Sequence, residues 1–119
     1  MSAEHHKIDH YQYEFVSEAS GQSARDMIYL FLFDAHKKLL CALACQPGKR
    51  TFAAAKMAAG GHVRAEIGDL QMRAIIDLLR NERPAWFSWN GATQSVRVSS
   101  SQEPVGEEEV RKMFSFLYL

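Results

Sequence analysis

Cysteine is scarce in this sequence of 119 residues, with Cys41 and Cys45 the two present. Two thiols exclude a disulfide-stapled scaffold and fall short of a four-ligand structural zinc site. Three prolines and seven glycines leave no Pro/Gly/Ser-rich linker, and the sequence reads as one domain over 1–119, with 1–8 a loose polar end. Long apolar runs are missing too. None exceeds the seven residues of 27–33, far from the ~18 of a membrane span. Residues 1–10 hold no apolar stretch of the secretory kind. With reduced thiols, this makes a cytoplasmic protein, away from membranes, the expectation. No G-x-G-x-x-G, P-loop or G-x-S-x-G pattern occurs, so neither a glycine-rich phosphate cradle nor a nucleophile elbow is indicated. The sequence therefore predicts no catalytic residue, no metal site, no cofactor and no enzyme.

Charge of one sign is lacking overall: 14 Lys and Arg balance 14 Asp and Glu. A neutral total gives no long-range pull on a polyanion and weak repulsion between copies. The distribution is uneven, with net plus five between Asp34 and Arg64 and net minus two from Glu103 onward.

What is present is a globular composition, 47% hydrophobic and 24% charged, in a chain long enough to bury about two thirds of its unfolded surface. Residues 10–19 alternate, with Tyr11, Tyr13 and Phe15 on one face and Gln12 and Glu14 on the other, which predicts a half-wet strand. Residues 27–33 are apolar on both faces and predict a central strand covered on both sides. Asp34 opens a turn, and 39–45 is read as the strand that pairs back, against a competing helix capped by Asp34 and stopped at Pro47. A short helix is expected over 51–59 and a short strand over 62–67. Asp69 as N-cap, with Leu70, Ala74 and Leu78 in register, predicts a helix over 69–79. Asn90-Gly91 predicts a two-residue hairpin turn between strands 85–89 and 93–99. Glu107–Arg111 and Glu108–Lys112 pairs predict a last helix over 107–117. The expected fold is α+β: a mostly antiparallel sheet of five to six strands with two main helices packed on one face, in the order β-β-β-(α)-β-α-β-β-α.

Three functional readings follow. The first is a non-enzymatic binding or interaction module that self-associates, as a homodimer, through an apolar sheet face and the apolar tail carrying Phe116, Tyr118 and Leu119; a protein partner also fits it. The second is a single-stranded nucleic-acid binder, in which Trp86, Phe87 and Trp89 stack on bases while Arg97, Lys37, Lys38, Lys49 and Arg50 contact phosphates. The third is a small enzyme using Cys41 or Cys45. On a strand those two Cα atoms lie about 13 Å apart, too far for a disulfide, so buried core thiols are the expected state.

Overall fold

The computed structural model describes residues 4–20 and 23–100. In chain order its elements are β1 (Glu4–Ile8), β2 (His10–Ser20), β3 (Ser23–Phe33), β4 (Leu39–Cys45), β5 (Lys56–Met57), β6 (Val63–Glu66), α1 (Asp69–Asn81), β7 (Ala85–Asn90) and β8 (Ser95–Ser100). The strands form a five-stranded sheet, β2-β3-β4-β6-β5, and a three-stranded sheet, β1-β7-β8. Every neighbouring pair is antiparallel except β4–β6.

The expected single sheet with two main helices on one face is overturned. Strand dominates, the strands divide between two sheets, and α1 is the one helix among the described residues. The helix expected over 107–117 lies outside the described residues. The short helix expected over 51–59 does not form either. Residues 51–55 are irregular, and Lys56–Met57 pairs with β6. So few residues barely offset the cost of nucleating a helix, and the Glu66 carboxylate accepts the Ala53 N–H from outside.

The segment read as a loose polar end is β1. It pairs with β7 from Glu4↔Trp89 to Ile8↔Ala85, so its place depends on a distant strand rather than on its own alternation. Asp9 alone separates β1 from β2, and its N–H donates to the Phe33 carbonyl. At that residue the chain leaves one sheet and enters the other.

Pairing register sorts the side chains of the large sheet. One rung runs Tyr13↔Leu30↔Leu43↔Ala65, and the next Tyr11↔Leu32↔Cys41↔Val63. Leu30, Leu32, Cys41, Leu43, Cys45 and Val63 face inward and are closed to solvent. They join Phe87 and Trp89 of the small sheet and Met72 and Leu79 of α1 in a single core. The two-sided strand is thus covered on its inner face by a second sheet and a helix.

α1 begins one residue earlier than expected: Gly68, not Asp69, is its N-cap, and Asp69 stands in the first turn. There the Asp69 carboxylate accepts from the Cys45 thiol at 3.2 Å. The helix also sits in a different phase. Met72 and Leu79 are buried, Ile75 and Ile76 pack beside them, and Leu70 is 77% exposed. The β7–β8 connection differs from a two-residue Asn-Gly turn. Asn90 still pairs with Ser95, residues 91–94 make the turn, and Gln94 takes the left-handed conformation. The Asn90 side chain accepts the Ala92 and Thr93 N–H groups, which gives the longer loop a local hydrogen-bond scaffold.

Candidate functional site

The residues singled out in the sequence separate on folding. In β7, alternation sends Phe87 and Trp89 inward, where they are 1% and 6% exposed. Base stacking needs an open ring face, and these two rings are closed to it. Trp86 points outward. It is half-buried and stacks on His5, with ring centroids 4.7 Å apart and planes 11° from parallel. His5 Nδ1 and Ser88 Oγ share a 2.7 Å hydrogen bond. Arg97 pairs with Ser88 and so lies on the same outer face as Trp86, and Lys7 lies beside Trp86 on β1.

The basic segment does not form one patch. Lys37 and Lys38 sit in the β3–β4 turn, where the Asp34 carboxylate accepts the His36 and Lys38 N–H groups. Lys49 and Arg50 follow the far end of β4. The seven residues of that strand hold the two pairs roughly 20 Å apart. Phe116, Tyr118 and Leu119 lie outside the described residues.

Cys41 and Cys45 are free and buried. Burial pushes the Cys41 thiol up to about 12. Burial, then the hydrogen bond to Asp69, pushes Cys45 up to about 11. Both therefore stay protonated near neutral pH, the reverse of what an activated nucleophile needs. Among the described residues no group of three or more His, Cys, Asp or Glu is placed to hold a metal ion.

Two other surfaces stand out. The first is the outer edge of β2. This strand pairs with β3 without interruption from His10↔Phe33 to Ser20↔Ser23. Among the described residues no strand lies on its other side. Tyr11, Tyr13 and Phe15 form a stripe along it, 39%, 50% and 57% exposed. They share a face with the core, but lie beyond the cover that α1 and the small sheet give to β3 and β4. Sequence alternation found this stripe and took it for an ordinary half-wet strand.

The second surface is a groove of about 580 Å³ on the outer face of the large sheet. Its floor pairs large with small: Phe31 stands opposite Ala42 and Tyr29 opposite Ala44. The Tyr29 and Phe31 rings lie 6.0 Å apart and nearly parallel. Residues 46–54 form one wall. That wall is fastened by Glu66, which takes an ion pair from Lys49 and the N–H of Ala53. These contacts, Lys49 first, hold the Glu66 carboxyl below its ordinary range. Lys56 and Arg64 stand directly opposite each other in the β5–β6 pair and both line the groove. Like charges so placed repel, and among the described residues neither has an ion-pair partner. Sequence reasoning did not single out this site, because its parts come from β3, β4, β6 and the loop before β5. The one linear trace is the positive balance between Asp34 and Arg64.

No known protein family matches the chain, and no curated protein and no solved structure is significantly similar to it.

Proposed function

We propose that the protein is a non-enzymatic binding module that associates with a second copy of itself along the outer edge of β2. One observation carries this reading: an edge strand of 11 residues with an uninterrupted register and three exposed aromatics. Proteins blunt such edges with lysine, proline, bulges or short length. β2 contains no lysine or proline and shows no bulge against β3. Its sequence also complements itself. An antiparallel pair centred on Tyr13 sets Tyr11 across from Phe15, Tyr13 across from its own copy, and the Gln12 amide across from the Glu14 carboxylate. A two-fold pair of this kind is isologous and closes on itself. The test is sedimentation velocity over a range of protein concentration. The wild type dimerises as concentration rises, while Tyr13→Lys stays monomeric with its circular dichroism unchanged. A wild type that remains monomeric throughout, or a variant that dimerises equally well, refutes the reading.

The outer face of the small sheet favours a second reading. Trp86, His5, Lys7 and Arg97 combine ring surface with positive charge, the combination by which sheets hold single-stranded nucleic acid. Fluorescence anisotropy of a labelled mixed-sequence oligonucleotide at low and moderate salt checks it. The complex weakens steeply with salt and weakens again in Trp86→Ala. Absence of binding at low salt removes this reading and leaves the first untouched.

A further inference from the structure

We infer that the groove on the outer face of the large sheet is a binding site for a small organic anion with a flat apolar body. The floor supplies the apolar half of the recognition. Ala42 and Ala44 stand across from Phe31 and Tyr29, so the two rings rise beside low ground and present one wide apolar ledge. Phe52, 43% exposed, lines the same groove from the loop side. A planar group laid there meets ring faces on two sides, and aromatic pairs favour such offset stacking.

The charged half comes from the β5–β6 end. Glu66 is already engaged by Lys49 and by the Ala53 N–H, so it does not neutralise Lys56 and Arg64. Glu14 lines the groove from β2, at the other side of the sheet. The groove is therefore polarised, with two cations that lack an ion-pair partner among the described residues at one end, a carboxylate at the other and an apolar ledge between. Holding Lys56 and Arg64 side by side is unfavourable in the free protein, and an anion between them removes that repulsion. A guanidinium beside an ammonium suits a carboxylate, sulfonate or phosphate head, because arginine offers a planar fork of donors. Complementary charge at one end excludes the cationic analogue and sets the ligand's direction. The groove is complete within one copy of the chain, so a failure of β2 pairing would leave this inference standing.

The test uses the full chain, 2-naphthalenesulfonate and its neutral counterpart 2-naphthol, by isothermal titration calorimetry. The sulfonate binds and the naphthol binds at least about tenfold more weakly, as expected for a hydrogen bond to a charged group. Binding of the sulfonate falls as salt rises, because the cations are at the surface. The double variant Lys56→Gln/Arg64→Gln brings the sulfonate to the level of the naphthol while the melting temperature holds or rises. A second variant, Ala42→Phe, fills the ledge, leaves both charges in place and abolishes binding of both probes. Equal affinity for sulfonate and naphthol overturns the inference. So does a double variant that binds the sulfonate like the wild type, or an Ala42→Phe variant that retains it.

Discussion

Leu43 and Tyr13 lie on the same rung and the same face of the large sheet, with Leu30 between them, yet substitution at the two positions should affect different equilibria. Leu43 is 0% exposed. Leu43→Ala removes about three carbons at ~0.8 kcal/mol each and leaves a cavity adding about 1 kcal/mol or more, giving about 3–4 kcal/mol in all. For a domain of this size that lowers the melting temperature by roughly 10–15 °C. Tyr13 is 50% exposed and leaves no enclosed cavity. Tyr13→Lys keeps an aliphatic stem over the same surface and costs the single protomer about 1 kcal/mol. Its cost falls on the pair instead. The open half of the ring is about 100 Å², and two copies double it. If only half of that area is covered on pairing, about 2.5 kcal/mol is lost, which weakens association about 60-fold. Urea unfolding at low protein concentration measures the first quantity, and sedimentation at high concentration the second. A Leu43→Ala penalty below about 1 kcal/mol would refute the packed core. A Tyr13→Lys penalty equal to that of Leu43→Ala at low concentration would mean that β2 is an interior strand, and the edge argument would fail.

Three further outcomes are expected. Cys41 and Cys45, held up at about 12 and about 11, react slowly with a disulfide reagent in the native state, at a rate that rises as urea opens the core; rapid native labelling at neutral pH would contradict their burial. Phe87→Ala, at a site 1% exposed where the two sheets meet, destabilises by about 3–5 kcal/mol in thermal unfolding. Asp34 accepts two turn N–H groups, and the Lys38 hydrogen bond, as the leading cause, lowers its carboxyl. Its folded form thus favours the charged state, so its contribution is present above the ordinary carboxylate range and is lost as pH falls through the lowered value. Asp34→Ala therefore lowers the melting temperature at neutral pH and flattens the decline on the acid side, and an unchanged acid limb would refute that role.

Much of the large sheet was legible because its strands announce themselves locally. The alternation of 10–19, the two-sided run 27–33, the Asp34 turn and the strand reading of 39–45 over the helical one all correspond to β2, β3 and β4. The architecture was not legible, for three physical reasons. β1 has a single inward apolar residue, Ile8, and is a strand only because β7 offers it a partner. The parallel β4–β6 pair depends on a long crossover through 46–62, a non-local contact with no periodic trace. Helix phase was misjudged because Leu70 is apolar but lies on the exposed side, where single apolar residues are common. For the functional surfaces, the sequence marked aromatics by clustering and so favoured Trp86, Phe87 and Trp89. Alternation then buried two of the three, while the exposed ring edge sits on Tyr11, Tyr13 and Phe15. Chain order also hid the neutralisation of Lys49 by Glu66, so at the groove the net-basic segment resolves into one engaged cation, Lys49, and the couple Lys56 and Arg64, which have no ion-pair partner among the described residues.

β2 belongs to both proposed surfaces, and that shared membership makes them interdependent. Its Tyr11–Tyr13–Phe15 face forms the pairing stripe, while Glu14 and Val16 on the opposite face line the groove. In the register centred on Tyr13, each Glu14 carboxylate gains the Gln12 amide of the other copy as a hydrogen-bond partner. It is thereby drawn towards the seam and away from the groove it otherwise charges negatively. An anion bound at Lys56 and Arg64 is repelled less by a Glu14 held in this way, so ligand and second copy favour the same state. Linkage makes the effect reciprocal: whatever factor dimerisation adds to anion affinity, the anion adds to dimerisation. Addition of 2-naphthalenesulfonate should therefore shift the wild type towards dimer at fixed protein concentration, and Glu14→Gln should shrink that shift while tightening anion binding to the monomer. A probe that binds and dissociates the dimer would reverse the sign of the coupling, and would show that Glu14 faces the ligand in the paired state.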